Sequence, residues 1–368
     1  MNSTDVFVIG GGPAGLAAAI AARQRGFRVV VAEGMVPPID KACGEGLMPD
    51  GLAAFERLGV QLPASSAYAF RGIRFLNSAF SADAVFPGGG HGLATRRTVL
   101  HEVMTQRAEQ VGVDLLWGRA VTGIDADRVR LGSDFVRARW IIGADGSNSR
   151  VRLWAKLDAS HPPRMRYAFR RHYRVSPWSD HVEVHWGDRC QGYATAVSEN
   201  EVCVVIASND PSLRLERALK ELRRLSQRLG GTEPSTTERG AITGNRRLKR
   251  VWRDNVALIG DASGTVDAVT GEGMGLAFSQ AIALAECMEA DDLNRYQTRH
   301  DELALRPLLM ARFMLLLDRR PRLQDRVLRV FQRRPEIFRR LLALHVGALP
   351  PKDLVWDGLT LGWELLTA

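Results

Sequence analysis

The sequence predicts an α/β protein: a doubly wound parallel sheet, an antiparallel β-sheet domain inserted into it, and a helical C-terminus. Three observations carry this prediction. The chain opens with a strand, a glycine-rich turn and a helix between Asp5 and Gly26. Its middle alternates short apolar segments with turns, and its last part repeats Leu, Phe, Met and Val at three- and four-residue spacing.

Taken in order, "DVFVIG" (Asp5 to Gly10) reads as a short buried strand, "GPAGLAAAIAARQRG" (Gly12 to Gly26) as a helix closed by glycine, and "RVVVAE" (Arg28 to Glu33) as a second strand. This βαβ unit starts a domain to which the chain returns twice. "TRRTVLHEVMTQRAEQVG" has helical spacing, "RWIIGADGSNS" is a strand running into a loop, and Asn255 to Met288 is a strand, a glycine-rich loop and a long small-residue helix. Segments such as "HVEVHW", "GYATAV" and "EVCVVIA" alternate as antiparallel strands do. The expected division is 1–70, 92–164 and 243–290 for the nucleotide domain, 71–91 and 165–242 for the inserted sheet, and 291–368 for the helical end.

Composition narrows the class. With 368 residues and 45% hydrophobic content the chain can bury a substantial core. Cys43, Cys190, Cys203 and Cys287 show no CxxC pairing, so no zinc site or disulfide framework is expected, and a reducing, cytoplasmic setting fits. The first apolar run follows an acidic residue and is broken by glycines, unlike a signal peptide. The run Pro307 to Leu317 contains Arg312 and is too short to cross a bilayer. Eleven arginines between Arg306 and Arg340 face only Asp318, Asp325 and Glu336, which accounts for most of the net charge of +9. So localised a charge, without an aromatic-plus-basic motif, does not describe a nucleic-acid binder. It marks a solvated basic face, with peripheral contact to the inner face of a membrane, or to an acidic carrier, as the alternative.

The turn "GGGPAG" supplies Gly10, Gly12, Ala14 and Gly15 between strand and helix. Glycines there permit a tight turn and let a pyrophosphate approach the helix N-terminus, whose free N–H groups and dipole favour an anion. Glu33, at the end of the next strand, is placed to accept both ribose hydroxyls of an adenosine, completing a Rossmann-type dinucleotide site. NAD and FAD both satisfy this turn; two further motifs favour FAD. "GADG" places Asp145 and Gly146 after one strand, and "LIGDA" places Gly260 and Asp261 after another, where a carboxylate can bond the ribityl hydroxyls that NAD lacks. The loop "TGEGMG", with Gly271, Gly273 and Met274, opens a helix whose dipole would favour the negative charge of a reduced flavin.

This three-part signature resembles the flavoprotein superfamily with the para-hydroxybenzoate hydroxylase fold. The resemblance implies that Arg97, in "RRTVLHEVM", contacts the cofactor and that Val121, in "WGRAVTGI", passes against the adenine. Cys43-Gly44-Glu45-Gly46 and the stretch from Gly260 to Gly273 resemble the geranylgeranyl reductase-like branch. There the loop wraps the flavin: Gly44 and Gly46 give backbone access and Cys43 packs near the ring system, while Cys43 and Glu45 are the candidates for a catalytic role. The substrate strand keeps only Tyr193 of that branch's "YxWxF" pattern, followed by Thr195. The hydroxylase pattern "GDAAHxxxPxxGQG" is changed at Ser263, Gly264 and Glu272, and the "WxWxIP" strand of halogenases has no counterpart.

His181, Glu183 and His185 alternate on one strand face. His181 and His185 join Tyr193 and Thr195 as candidate substrate-lining residues; no metal site is expected. "PGGGHG" (Pro87 to Gly92) lacks a framing βαβ unit and reads as a plain loop. The resemblance implies an FAD-dependent oxidoreductase with NAD(P)H as a transient reductant, since only one dinucleotide motif is present. The first expectation is a monooxygenase acting on an apolar aromatic or polyketide-like substrate. The alternative is a reductase of carbon–carbon double bonds in an isoprenoid or other lipid.

Overall fold

The computed structural model describes residues 3–157 and 165–350. The stretches 158–164 and 351–368, which the expected domain division included, lie outside the described residues.

Five parallel strands form the spine of the first sheet, in the order Val256–Leu258, Asp134–Gly143, Ser3–Ile9, Val29–Glu33 and Asp114–Trp117. The chain builds outward from Ser3–Ile9 on one side and later returns on the other, so the strand order reverses beside the first strand. In such sheets ligands bind at that reversal, outside the carboxyl ends of the strands. Val6, Phe7, Val8, Val29, Val30 and Val31 are all buried, as expected of parallel strands covered on both faces. A hairpin of Gly123–Asp125 and Arg128–Leu131 extends the near end of Asp134–Gly143, a feature the sequence reading did not include.

The helix Gly273–Glu289 is almost wholly apolar because it is buried between neighbours on several sides. It packs on Pro13–Arg23 and Leu293–Asp318 and crosses Pro49–Arg57. At that crossing a Cβ on Gly51 would come within 3.0 Å of Gly275 Cα, so a glycine on each helix lets the backbones touch. This contact brings Asp50 beside the start of the motif helix.

The second sheet has seven strands, ordered Arg239–Gly244, Met165–Tyr173, Glu201–Ser208, Cys190–Ser198, His181–Trp186, Gly72–Leu76 and Ser81–Val85. The two insertions therefore form one sheet. It is antiparallel except where Gly72–Leu76 runs parallel to His181–Trp186, because the chain leaves and re-enters the sheet between them. The C-terminal helices cover one face: Phe338 stacks on Phe75 (centroids 4.8 Å apart) and on Phe331 (4.6 Å). In Pro321–Arg333, Val327, Leu328, Val330 and Phe331 are buried while Arg322, Arg326 and Arg333 are exposed, the amphipathic arrangement read from the sequence.

Candidate cofactor and substrate site

The three glycine-rich motifs meet at the carboxyl ends of the central strands. A Cβ on Gly10, which sits at φ +111°, would lie 2.5 Å from Ala144 O, and one on Gly15 would lie 1.8 Å from Gly10 O. Both glycines are thus required for the first turn to nest against the second motif. A Cβ on Gly260 would lie 2.8 Å from that of Ala14, which sets the third motif against the first. Arg152 Nη1 donates to Ala262 O at 3.1 Å and joins the second to the third.

Gly12, Gly44 and Gly273 differ from these. A Cβ there would meet no protein atom within 4 Å, and none of the three has a positive φ that would itself demand glycine. Glycine retained beside open space fits a bound group that passes close to the backbone. Two further features fit the same group. Asp145 Oδ2 accepts the N–H groups of Arg150 (2.7 Å) and Val151 (3.1 Å), while its Oδ1 is buried and without a partner among the described residues. Arg97 Nε is likewise buried and unpartnered. A cradle of bare glycines, one free carboxylate oxygen, one free guanidinium donor and a helix N-terminus at Gly273 suits a dinucleotide with a hydroxylated linker.

Around this cradle each residue has a definable part. Glu33 accepts Gly11 N–H and Met35 N–H, both at 2.9 Å, so its carboxylate braces the glycine turn. His101 Nε2 lies 2.9 Å from Gly11 O on the other side, and burial keeps this imidazole below its usual pKa, hence neutral. Asp261 pairs with Lys41 Nζ at 3.0 Å, and both are half-exposed. Arg97 Nη1 lies 3.7 Å from Met274 Sδ. Val121 is buried in the core of this domain, and Gly146 and Gly271 occupy left-handed turns at φ +80° and +69°. Gly260 N–H donates to the buried Gln280 Oε1 at 2.8 Å, which fixes the third motif to the helix behind it.

The Cys43–Gly46 loop is fastened to the second sheet. Glu45, at φ +64° and 2% exposed, receives Arg170 Nη1 at 2.7 Å, His172 Nε2 at 2.6 Å and Arg97 N–H at 3.0 Å. Its carboxylate is fully engaged in holding the loop. Cys43 is half-buried; its Sγ accepts Glu45 N–H at 3.3 Å and its carbonyl accepts the Cys203 thiol at 3.6 Å. Thr195 faces this loop, its methyl 3.9 Å from where a Cβ on Gly46 would lie. Glu45, His172 and Cys203 are close enough to resemble a metal site, but the Arg170 guanidinium already supplies the cationic partner of the carboxylate.

Between the second sheet and the C-terminal helices lies an apolar cleft lined by Met48, Phe75, Val182, Val184, Tyr193, Met310, Met314 and Phe338, and closed by Thr270, Gly271 and His345. Tyr193 turns its hydroxyl away to Gln191 Oε1 at 2.8 Å, presenting its ring to the cleft. Side-chain alternation puts Val182 and Val184 in this lining. His181 and His185 therefore face the opposite side of the sheet, where His185 bonds Glu183 (3.0 Å) and His181 bonds Asp180 (2.7 Å). The structure thus places Tyr193 in the cleft lining and Thr195 beside the Cys43–Gly46 loop, and leaves the two histidines on the other face of the sheet. Arg170, His172, His101 and His345 were not singled out from the sequence; charged residues alternating through the strand Met165–Tyr173 were the available signal for the first two.

Fold and site define a dinucleotide-dependent α/β enzyme of the flavoprotein type. The chain belongs to the FAD binding domain family, whose profile matches residues 3–291. It is 27% identical over 323 residues to menaquinone reductase of Mycobacterium tuberculosis, covering 80% of this chain and 78% of that protein. It is 29% identical over 333 residues to digeranylgeranylglycerophospholipid reductase 1 of Methanopyrus kandleri, covering 81% and 86%. Its fold matches a flavoprotein/dehydrogenase from Cytophaga hutchinsonii with a TM-score of 0.85 at 17% identity, over 100% of this chain and 99% of the other. The chain is an FAD-dependent oxidoreductase. No described helix is long and apolar enough to cross a membrane.

Proposed function

We propose that this oxidoreductase reduces carbon–carbon double bonds in the polyprenyl part of a lipid or quinone, with NAD(P)H as the visiting reductant. The observation that carries this reading is the cleft, whose lining is nearly all apolar and which ends at the Thr270–Gly271 turn before the motif helix. An isoprenoid chain offers no hydrogen-bonding groups, so such a lining selects it by buried area and shape. The names of the two aligned reductases denote molecules that carry polyprenyl chains, which supports the same reading.

When bound, FAD supplies the hydride chemistry, and the protein supplies binding, orientation and exclusion of water. Gly12, Gly44 and Gly273 leave room for the cofactor, Asp145 and Asp261 hold its hydroxylated linker, and Glu45 locks the Cys43–Gly46 loop to the sheet that carries Tyr193. Glu45 is in this reading a positioning residue, and Cys43 serves through its backbone. The solvent side of Leu293–Asp318 exposes Leu305, Leu309 and Leu316 beside Arg312, while Met310 and Met314 of the same helix line the cleft. This side would rest on an anionic bilayer and admit the lipid chain.

A second reading, hydroxylation of an aromatic or polyketide-like substrate, draws on the aromatic wall of Phe75, Phe338 and Tyr193. Incubation with NAD(P)H and either menaquinone or digeranylgeranylglycerophospholipid in detergent, with and without oxygen, separates the two. The reductase reading expects a product heavier by hydrogen alone and formed anaerobically; oxygen incorporation, or turnover only in air, would replace it with the second reading.

A further inference from the structure

We propose that Glu272 and His345 form a proton relay ending in the apolar cleft: His345 hands a proton to the substrate and Glu272 resupplies it. This rests on the reductase reading and deepens it, because adding hydride to one carbon of a double bond leaves the other in need of a proton.

Glu272 Oε2 lies 3.4 Å from His345 Nδ1, an approach that a small side-chain rotation would turn into a hydrogen bond, and neither atom has a hydrogen-bond partner among the described residues. The two side chains are 6% and 5% exposed, so the pair is closed to bulk water. His345, the last residue of the helix Pro335–His345, stands at the cleft wall with Thr270 and Gly271. Glu272, just before the motif helix, also lines two small cavities, one bordered by Asp50 and Arg306 and the other by Asp261. The pair therefore connects the apolar cleft with cavities bordered by charged side chains.

The charged groups that face it are Asp50, from Pro49–Arg57, and Arg306, from Leu293–Asp318. Burial first, then Asp50, raises Glu272 to about 8. Burial first, then Arg306, lowers His345 to about 4. Near neutrality the pair thus holds its proton on the carboxyl, with a neutral imidazole between it and the cleft. Arg306 also donates to His345 O at 3.3 Å and fixes the end of that helix.

Bound and reduced, FAD would supply a hydride, one hydrogen with its electron pair, to the first carbon. The π pair of the alkene takes the proton from imidazole Nε2 to form the second C–H bond, Nδ1 receives the proton of Glu272, and the carboxylate is reprotonated from the Asp50–Arg306 side. The net reaction adds a hydride and a proton to the double bond, and the nicotinamide reductant restores the cofactor.

The test uses FAD-loaded full-length protein, wild type, Glu272→Gln and His345→Gln, with rates normalised to bound flavin. Infrared difference spectra of the resting protein are titrated with pH and need no substrate. The expected result is a protonated-carboxyl band in wild type that disappears as pH rises through about 8 and is absent in Glu272→Gln. In anaerobic single turnovers with digeranylgeranylglycerophospholipid in micelles, the wild-type rate should fall on that same alkaline limb. Glu272→Gln should lose rate by about 100-fold and lose the limb, and His345→Gln should lose a similar factor while keeping the carboxyl band. Variants that retain the wild-type rate and limb, or a band unaffected by Glu272→Gln, would overturn the relay. If wild type yields no hydrogenated lipid, the reductase reading fails, and the infrared titration alone then decides whether the pair holds a proton.

Discussion

The carboxylate of Glu45 lies 2.6 Å from Nε2 of His172, across the seam between the cofactor loop and the inserted sheet. Arg170, two residues earlier on the same strand, reaches the same carboxylate at 2.7 Å and also bonds Asp40. In the proposed reading this seam registers the apolar cleft against the cofactor, and removing Glu45 leaves a buried guanidinium short of a partner. Glu45→Ala is expected to cost about 3 kcal/mol in chemical denaturation and to lower flavin content. A variant as stable and as yellow as wild type would remove Glu45 from this role.

The glycines of the first turn should separate by their surroundings. Gly15→Ala drives a Cβ to within 1.8 Å of Gly10 O and should destabilise the fold itself. Gly12→Val meets open space and should fold normally while excluding the cofactor. Melting curves of the apo forms beside flavin absorbance distinguish the two; equal loss of stability in both would contradict the cradle.

Asp261→Ala removes the proposed linker ligand and the partner of Lys41. Because that pair is half-exposed, its loss should change apo stability by less than about 1 kcal/mol, while flavin occupancy falls sharply. Cys43→Ser, whose hydroxyl oxygen can still accept the Glu45 N–H, should keep its flavin. Retention of full occupancy by Asp261→Ala would contradict the placement of the third motif.

The combined contribution of His345, His300 and Glu272 to stability should pass through a maximum near pH 6.5. His345 and His300, both lowered by burial to about 4, bind protons more readily when unfolded, so stability rises with pH up to their ordinary value of 6.5. Glu272, raised by burial to about 8, binds its proton more tightly when folded, so its contribution is lost as pH rises from 4.5 through 8. The two histidines outweigh it below 6.5, and above that only the loss remains, about 2 kcal/mol between pH 6.5 and 8. Thermal midpoints measured across this range should show the fall in wild type and a flattened curve in Glu272→Gln.

Association with membranes should depend on the leucine side of Leu293–Asp318. Wild type should sediment with vesicles containing anionic lipid, and Leu309→Glu should stay in the supernatant. Equal sedimentation of both, or of neither, would contradict a bilayer contact through this helix.

What could be read in advance followed from local constraint. A strand-to-helix turn with a close backbone approach requires glycine at positions 10 and 15, so sequence alone locates it. The amphipathic spacing of 321–333 likewise states which side is buried. The fastening of Glu45 was not legible, because its partners Arg170 and His172 come from a strand 125 and 127 residues later. Alternation showed that His181 and His185 share a face but not which face meets the cleft; that depends on the helices packed across Val182 and Val184. The parallel pairing of Gly72–Leu76 with His181–Trp186 is equally a long-range event. Glu272 was visible as a departure from a glutamine pattern, yet its pairing with His345 arises only where two distant helices meet.

The most direct measurement follows the flavin absorbance of the purified protein, reduced with a limiting amount of NAD(P)H under strict anaerobiosis and then mixed with digeranylgeranylglycerophospholipid in micelles. The expected result is return of the oxidised flavin spectrum without oxygen, in step with hydrogenation of the lipid. A colourless protein that takes up no FAD, or a reduced spectrum that persists until air is admitted, would contradict it.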